Sequence, residues 1–391
     1  MSAAAVRRED DRAGADTVPS VCFVCPTRSA AELLTGSPNA DIGGAEVQMT
    51  HLASALARRG HTASCLVAGE GCAAEQASPD GVRVITAYEL TEAHAGVSWL
   101  TRKWPGLWRA MSRADADVYI TRGANWHTGA AVLFARLQGR SSVFWVASED
   151  DVLAADREGG LPSHARVCFR YGLDRCDALV AQTRTQQRLV AERLGREATL
   201  IPNMWIPADG MAPAVTRDDR GVLWVGNIRP RKRPEMALEV AALLPDVHLT
   251  MVGGPVPGAE DLDERVRARA AALGNVTVAG HVPHEQVHEF YQRAAILLHT
   301  AEVEGFPNVF LEAWGHGLPV VSTFDPDGMI ASHDLGRAAQ TRDGLATGIT
   351  ELLTERAKHE VCRLNASRYV REYHDPAAVA DAAERVLRSL V

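Results

Sequence analysis

Short apolar, β-branched segments alternate with helix-length segments along most of this chain, and this alternation constrains the fold more than any other feature. In the first half the apolar segments are VCFVCP, TASCLVAG, VRVITA, DVYITR, SVFWVAS and ALVAQT, beginning at Val21. Strands that alternate with helices form right-handed βαβ units and a parallel sheet. The first half therefore predicts an α/β domain built on a parallel sheet.

The same pattern begins again after an interruption. Residues 202–221 are rich in Pro, Gly, Asp and Asn, and the segments GVLWVGN, HLTMVGG, VTVAGHV, AILLHT and PVVST follow them. Such an interruption indicates a linker between two doubly wound domains. We leave open whether the last helix packs back on the first domain. The boundaries we assign are a disordered tail at 1–19, a first Rossmann-like domain at 20–205, a linker at 206–221 and a second Rossmann-like domain at 222–391.

The composition excludes several classes of function. Hydrophobic residues make up 46% and charged residues 23%, as in a globular protein. The 41 basic and 49 acidic residues leave a formal charge of -8, which argues against general nucleic-acid binding. No stretch approaches the ~20 consecutive apolar residues of a membrane helix. The acids among the first 19 residues argue against a signal or transit peptide, so we expect a cytoplasmic protein.

The seven cysteines are scattered, which fits a reducing compartment. Cys22 and Cys25 form a Cys-x-x-Cys pair, but they lie within the apolar first segment and no second pair follows at zinc-ribbon spacing. Free cysteine is commonly a core residue, so burial is the better interpretation of this pair.

The segment with the most informative chemistry runs from Glu302 to Ser322, EVEGFPNVFLEAWGHGLPVVS. If a helix begins at Asn308 or at the next residue, Glu304 lies in the preceding loop and Glu312 lies about one turn into the helix. Both glutamates then face the cleft at the strand ends. The first amides of that helix favour an anion such as a diphosphate. The alternative is that both are ordinary surface acids.

This segment resembles the signature of glycosyltransferase family 4, a family of retaining enzymes with the GT-B fold. That signature has Glu, seven residues and Glu, with a Gly-Phe-Pro-Asn style insert and a following Gly-x-Pro-Val-Val-Ser run. The resemblance implies that Glu304 contacts donor sugar hydroxyls near the reacting carbon, that Glu312 binds the ribose hydroxyls, and that the intervening backbone holds the sugar and diphosphate. The matching residues are Glu304, Gly305, Phe306, Pro307, Asn308, Glu312, Ala313, Gly317, Pro319, Val320, Val321 and Ser322, and the backbone at Val309 belongs to the implied donor-binding segment.

A second motif, VGNIRPRKRPE, follows the first apolar segment of the second half and carries four cations. Cations at the carboxyl end of a strand can neutralise a diphosphate leaving group, although a basic run can also be a solvated turn. The resemblance implies a Gly-Arg pair and a lysine five residues after that arginine, both on the diphosphate. Lys232 matches the lysine, but Asn227 stands where the arginine belongs. Either Arg229 or Arg231 then supplies the missing charge.

In the first half, PNADIGGAEVQMTHLASALARRGH resembles the family's Gly-Gly-x-Glu loop and helix. Gly43 and Gly44 permit close approach of the backbone, and the helix that they open directs its N-terminus into the cleft. A dinucleotide-binding turn is the competing interpretation. It fails because no Gly-x-Gly-x-x-Gly follows Cys25.

The family's histidine on the donor sugar has no counterpart in this chain. The matching segment, SVFWVASEDDV, ends in acidic residues instead. We take Glu149 or Asp150, and separately His127 in RGANWHTG, as candidates for the sugar or acceptor side of the site. Ordinary loop acids are the alternative.

Two further segments have competing interpretations. His281, His284 and His288 allow a zinc site, but GHVPHEQVHEFYQRA matches the family's Gly-x-Val loop and amphipathic helix, which implies that backbone at His281 and Val282 contacts the nucleotide base. The segment 97–114 combines tryptophans with cations, and it predicts either a peripheral contact at the inner membrane face or an ordinary helix near its Pro105.

Together these observations predict a GT-B fold of two Rossmann-like domains facing a cleft. The expected function is retaining transfer of a sugar, most simply a hexose, from a nucleotide-diphosphate sugar to a hydroxyl of a glycan, lipid-linked or small-metabolite acceptor. We expect no metal and no other cofactor, because the nucleotide sugar is a co-substrate. The alternatives are a sugar-nucleotide epimerase or phosphorylase of the same fold, and a catalytically silent nucleotide-sugar-binding subunit.

Overall fold

The computed structural model describes residues 18–36, 43–69, 73–90, 102–154, 161–207 and 221–391. Most of the predicted tail, most of the predicted linker, the start of the Gly-Gly loop and the first part of the tryptophan-rich segment lie outside these residues.

The described residues of the first half form one sheet and its flanking helices. Its strands are β1 (Val21–Val24), β2 (Ala63–Ala68), β3 (Glu75–Ala77), β4 (Arg83–Tyr88), β5 (Val118–Arg122), β6 (Ser141–Trp145), β7 (Ala178–Ala181) and β8 (Thr199–Leu200). Its helices are α1 (Arg28–Thr35), α2 (Gly44–Arg58), α3 (Trp104–Ala114), α4 (Trp126–Leu137), α5 (Glu149–Ala154), α6 (Ser163–Arg175) and α7 (Arg184–Leu194).

The second half repeats this arrangement. Its strands are β9 (Val222–Val225), β10 (Leu249–Val252), β11 (Val276–Gly280), β12 (Ile296–His299), β13 (Val320–Ser322) and β14 (Gly336–Ala338). Its helices are α8 (Pro234–Leu243), α9 (Glu260–Leu273), α10 (His284–Arg293), α11 (Asn308–Gly315), α12 (Met329–Ser332), α13 (Arg342–Thr354), α14 (Arg356–Tyr373) and α15 (Pro376–Arg388).

Both sheets are doubly wound. The strand order is β3-β4-β2-β1-β5-β6-β7-β8 in the first and β11-β10-β9-β12-β13-β14 in the second. All pairs are parallel except β3 with β4. The order reverses between β1 and β5 in one sheet and between β9 and β12 in the other. Ligands of open α/β sheets bind outside the carboxyl ends of strands at such switch points. The prediction of an α/β fold with two doubly wound parallel sheets is confirmed.

Helices cover both faces of each sheet, so the central strands are mostly apolar and buried. All four residues of β1 and of β12 are buried. Phe23 and Trp145 lie in the main core of the first sheet, while Trp224 and Trp314 lie in the two cores of the second. Each sheet therefore has its own hydrophobic core, which is the basis for treating the halves as separate domains.

The last helix lies on the first domain. Ala380 and Leu387 of α15 are buried in the same core as Leu56 of α2. Arg59, at the end of α2, pairs with Asp381 at 2.6 Å. The chain therefore crosses back after the second domain, and α15 ties the two domains together.

Strands β3 and β14 were not predicted from the sequence. Strand β3 pairs antiparallel with β4 at the sheet edge, and its residues Glu75–Ala77 are exposed. Strand β14 has only Gly336–Ala338. A strand of three residues carries too little apolar alternation to be recognised without its neighbour.

Candidate active site

A cleft of about 240 Å³ lies between the two sheets, at the carboxyl ends of β9 and β12. We call it the interdomain cleft. The residues that line it come from α2 and its preceding glycine, from the ends of β9 and β10 and the loops after them, from the loop after β11 and helix α10, and from the loop and helix after β12. They are Gly43, Gly44, Val47, Val225, Gly226, Asn227, Arg229, Lys232, Val252, Gly253, His281, Val282, Val287, Glu304, Phe306, Pro307, Asn308, Val309 and Glu312.

Helix α11 begins at Asn308, directly after Pro307, as one of the two predicted starts required. Proline favours the start of a helix because its backbone nitrogen has no hydrogen to leave unpaired. Glu312 is the fifth residue of the helix, and Glu304 lies in the loop before it. Both line the interdomain cleft beside the N-terminus of α11, where the first amides lack intrahelical partners. This is a suitable place for an anion.

Glu304 forms an ion pair with Lys232 across the base of the cleft. The two side chains are only 15% and 13% exposed, respectively. Burial by itself would raise the pKa of Glu304, but the nearby His299 ring and the Lys232 ammonium outweigh it and lower that pKa to about 2. Glu304 is therefore a carboxylate at any ordinary pH. It can accept hydrogen bonds but cannot serve as a general acid.

The turn that carries Lys232 is bonded to a buried threonine, Thr300, which connects it to the core. The hydroxyl of Thr300 donates to the carbonyl oxygen of Lys232 at 2.8 Å and accepts from the indole nitrogen of Trp224 at 3.0 Å. Arg233, the next residue, has a left-handed φ of 49° and precedes the first residue of α8. The strained turn is thus anchored to the core, which fixes the position of the lysine.

The structure separates the two arginines that the sequence left as alternatives. Arg229 lines the interdomain cleft, and its Nε is buried with no hydrogen-bond partner in the described part of the chain. Arg231 is half-exposed, does not line the cleft and pairs with Asp150 of the first domain at 3.2 Å. Of these two arginines, Arg229 is thus the one that lines the cleft. Asn227 lines the cleft as well.

Glu312 is held by a residue that the sequence analysis missed. The buried hydroxyl of Tyr291 on α10 donates to Oε2 of Glu312 at 2.7 Å, and its ring stacks on His316. Burial, followed by the charge of Glu312, raises the pKa of Tyr291 far above its usual value. The tyrosine therefore stays protonated and fixes the carboxylate that faces the cleft.

The side chain of Asn308 connects the two domains. Its Nδ2 donates to the carbonyl oxygen of Gly44 at 2.9 Å, and its Oδ1 accepts from Asn203 at 2.9 Å and from Gln48 at 3.3 Å. Gln48 also exchanges two hydrogen bonds with the backbone of Met204. This amide network sets the distance between the N-termini of α2 and α11.

Gly305 lies outside the lining of the cleft, where the loop before α11 contacts the first domain. A Cβ atom at this position would clash with the carbonyl group of Ala147, at the end of the loop after β6. Only glycine fits there. The predicted donor-binding loop is therefore pressed directly against the first domain.

The candidates for the acceptor side do not line the interdomain cleft. Glu149 opens α5, and its pKa is raised by burial and then by the charges of Asp327 and Asp150. His127 is bonded to the hydroxyl of Tyr88 at 2.8 Å. Burial, with a smaller effect of Lys103, lowers the pKa of His127 to about 3, so the ring is neutral.

Two charged residues of the first domain were not singled out by the sequence analysis. Asp151 is buried and accepts hydrogen bonds from the amides of Ala124, Ala147 and Ser148 at 2.7–3.0 Å. It therefore joins the loops after β5 and β6. Arg122, at the end of β5, donates to Asn203 at 2.9 Å, and burial lowers its pKa to about 10. Their position at strand ends is the one signal that could have found them.

Val282 and His281 line the interdomain cleft, as the predicted base-binding loop requires of them. Among the described residues, no three His, Cys, Asp or Glu side chains are grouped as metal ligands would be.

In α3, Trp104 stacks on Trp126 and Trp108 packs edge-on against Phe134. No helix within the described ranges is long and apolar enough to cross a membrane.

The fold is that of the GT-B glycosyltransferases, as comparison with solved structures shows. Sucrose-phosphate synthase from Thermosynechococcus elongatus superimposes with a TM-score of 0.76 at 20% identity, over 95% of this chain and 99% of that one. HepE of Anabaena, solved with UDP and glucose, superimposes with a TM-score of 0.69 at 16% identity, over 95% of this chain and 100% of HepE. WaaG, a glycosyltransferase involved in lipopolysaccharide biosynthesis, superimposes with a TM-score of 0.67 at 20% identity, over 92% of this chain and 98% of WaaG.

The sequence itself matches two family models that cover most of the chain. "Glycosyl transferase 4-like domain" matches residues 43–204, and "Glycosyl transferases group 1" matches residues 212–369. The chain belongs to the group 1 glycosyltransferases, enzymes that transfer a sugar from a nucleotide sugar. The predicted family, fold and enzyme class are thereby confirmed.

Related proteins with assigned functions include D-inositol 3-phosphate glycosyltransferases. The one from Acidothermus cellulolyticus is 30% identical over 197 residues, which is 43% of this chain and 43% of the relative. The one from Mycobacterium tuberculosis is 26% identical over 347 residues, 78% of this chain and 71% of the relative. The first alignment thus spans less than half of that relative's length.

Proposed function

We propose that this glycosyltransferase is a retaining, metal-independent enzyme that uses a UDP-sugar and glycosylates a hydroxyl of a small, phosphorylated polyol. The observation that carries the proposal is the buried Glu304–Lys232 pair beside the N-terminus of α11. The titles of HepE structures with UDP and UDP-glucose support the choice of nucleotide. The names of the D-inositol 3-phosphate relatives support the choice of acceptor.

In this mechanism the second domain stabilises the leaving diphosphate. Lys232, Arg229 and the first residues of α11 all line the interdomain cleft. Positive groups aimed at charge that develops in the transition state contribute more in a water-poor site than in water. These cations do here what a bound metal ion does in other sugar transferases, which is why we propose that none is needed.

Retention follows if the departing diphosphate oxygen takes the proton of the acceptor hydroxyl on the same face of the sugar. The carboxylate of Glu304 binds donor sugar hydroxyls and stays charged, since its pKa is about 2. No second carboxylate at the separation found in glycosidases is then required. Positioning of the two substrates supplies most of the remaining acceleration.

The first test is binding of UDP, GDP, ADP and dTDP, measured by the shift in melting temperature. We expect UDP to stabilise the protein, and we expect Lys232→Ala and Glu312→Ala to weaken this effect. Arg231→Ala is the control, because Arg231 lies outside the cleft and pairs with Asp150. Equal stabilisation by all four nucleotides, or none at millimolar concentration, would contradict the proposed donor.

The second test is product analysis with UDP-glucose and UDP-N-acetylglucosamine, with D-inositol 3-phosphate and unphosphorylated inositol as acceptors. Proton NMR of the product gives the anomeric configuration, and we expect the α configuration of the donor to be kept. Activity should survive EDTA. Inversion, or activity that returns only with added metal, would contradict the mechanism.

A catalytically silent binding subunit is the second candidate, favoured by one observation: Asn227 lines the cleft where the family signature has arginine. It predicts UDP binding without transfer to any acceptor. An epimerase would change the donor sugar in the absence of acceptor, which the same NMR experiment detects.

We propose cytoplasmic catalysis without membrane attachment. Trp104 and Trp108 pack against aromatic side chains of α4, which supports a packed helix over a membrane-binding one. Co-sedimentation with vesicles containing anionic lipid is the test, and binding that Arg102→Glu abolishes would favour the peripheral alternative.

A further inference from the structure

His299 is the last residue of β12 and is 3% exposed. Its imidazole ring lies between Ser322 on one side and Glu304 on the other, with Phe310 packed edge-on against it at 4.9 Å between ring centres. The sequence contained one signal for it, since it is the only polar residue in the ILLH run of β12. A polar residue at the end of a fully buried strand requires partners.

The hydrogen bonds of Ser322 determine which tautomer the His299 ring adopts. The amide of Phe324 donates to the hydroxyl oxygen of Ser322 at 2.9 Å, and that oxygen lies 3.0 Å from Nδ1 of His299. The serine hydroxyl can then donate to Nδ1, which leaves the proton of the neutral ring on Nε2. This tautomer directs an N–H group toward the carboxylate of Glu304, whereas the other would direct a lone pair at it.

Nε2 of His299 lies 3.7 Å from Oε1 of Glu304 and is buried. It has no hydrogen-bond partner in the part of the chain that the structure describes. The same Oε1 accepts from Lys232. A buried N–H that lacks a partner is unfavourable, and a small movement of Glu304 toward the ring would satisfy it. Burial lowers the pKa of His299, against the effect of Glu304, so the ring acts as a neutral donor.

We propose that His299 is a positioning residue that holds the Glu304 carboxylate when Lys232 turns from Glu304 to the diphosphate of the donor. Its Nε2–H takes over Oε1, and the other oxygen of Glu304 stays directed at the sugar hydroxyls. Without this second donor, the carboxylate would lose its fixed position at the moment when the sugar must be held. This inference rests on the proposed function and adds a specific residue to it.

A matched pair of substitutions separates the two nitrogen atoms of the ring. His299→Gln places an amide N–H near the position of Nε2, whereas His299→Asn retains only a partner for Ser322. For His299→Asn we expect kcat with UDP-glucose to fall about 10- to 100-fold, as for loss of a hydrogen bond to a charged group. For His299→Gln we expect most of the activity to remain. The Kd of UDP, which carries no sugar, should be unchanged in both variants.

Melting temperatures of both variants show whether the effect is merely structural. The inference is overturned if His299→Asn keeps the kcat of the unmodified enzyme, or if both variants lose activity and melting temperature to the same extent. A decrease in UDP affinity that parallels the loss of kcat would overturn it as well. If the unmodified enzyme binds UDP but transfers no sugar, the proposed function fails first and this inference fails with it.

Discussion

The two sides of the interdomain cleft are built differently. On the second-domain side, charged groups face the cleft and are held by partners of their own domain, as Tyr291 holds Glu312 and Lys232 holds Glu304. On the first-domain side, the described lining residues are Gly43, Gly44 and Val47. The buried charged residues of the first domain, Asp151 and Arg122, form hydrogen bonds within that domain and do not line the cleft.

In the proposed mechanism, this difference assigns donor recognition and acceptor recognition to different domains. The charged groups of the proposed donor side are held by bonds within the second domain. The first domain contributes backbone, shape and closure contacts, such as those of Asn308 with Gly44 and Asn203. In the proposed mechanism, acceptor recognition falls to first-domain loops, the parts of a fold that change most easily.

The largest effect that would test this comparison is expected at Lys232. Lys232→Ala should lower kcat about 100- to 1,000-fold, as removal of a transition-state donor does elsewhere. Arg231→Ala, one position away but outside the cleft, should have little effect. Steady-state kinetics with UDP-glucose measure both. Similar losses in the two variants would mean that the basic turn acts as a whole, and the preorganised donor side would lose its support.

Closure should depend on Gly305, where the domains touch. Gly305→Ala places a methyl group against the Ala147 carbonyl, and overpacking of this kind costs about 1–3 kcal/mol. We expect kcat to fall while the Kd of UDP is retained, because the donor groups belong to one domain. Small-angle scattering should report a larger radius of gyration. An unchanged radius with full activity would show that the domains need not approach here.

Glu304 provides a test through pH. Its pKa is about 2 in the folded protein, below its ordinary value, so its ionisation stabilises the fold above about pH 4–5 and this contribution is lost as the pH falls toward 2. Glu304→Gln should lower the free energy of unfolding at pH 7 by about 1–3 kcal/mol. Denaturant titrations of both proteins should converge in acid. A difference that is constant from pH 7 to pH 3 would contradict the ion pair.

Tyr291 tests whether donor binding depends on a positioning bond. Tyr291→Phe removes the hydroxyl that donates to Glu312, and we expect UDP affinity to weaken about five- to tenfold. Tyr119→Phe is the matched control, because its buried hydroxyl donates to the carbonyl oxygen of Met111 in the first domain. Isothermal titration calorimetry distinguishes them. Equal weakening would indicate loss of stability rather than of the Glu312 contact.

The smallest effect is expected at another contact between the domains. The carboxylate of Asp327 accepts from the amides of Arg184 and Thr185, at the start of α7, at 2.6 and 2.9 Å. Asp327 has a φ of 52°, so Asp327→Gly removes the carboxylate without straining the backbone. We expect a small rise in the radius of gyration and a loss of kcat/KM of a few-fold. Asp327→Asn, which keeps one acceptor oxygen, should lie between.

Much of the architecture could be predicted from the sequence because it depends on local pattern. Alternation of β-branched and helical segments gave two parallel sheets, and Pro307 before Asn308 marked the start of α11. The spacing from Glu304 to Glu312 placed one carboxylate in a loop and the other in a helix. Each of these depends on residues within about one or two helical turns of one another, where backbone geometry is fixed by neighbours.

Other features depend on residues that are far apart in the chain. Arg229 and Arg231 are equivalent as sequence, and only the turn after β9 directs one into the cleft and the other toward Asp150. The clash that requires glycine at 305 involves the loop after β6, in the other domain.

Local sequence pattern and tertiary structure therefore determine different properties of this protein, for a physical reason. The sequence by itself determined the alternating elements, the family signature and the sign of the charges near the donor. Tertiary structure decided which of those charges are buried, which are paired and which face the cleft. Desolvation and short hydrogen bonds set these properties, and both depend on distances that local sequence pattern does not contain.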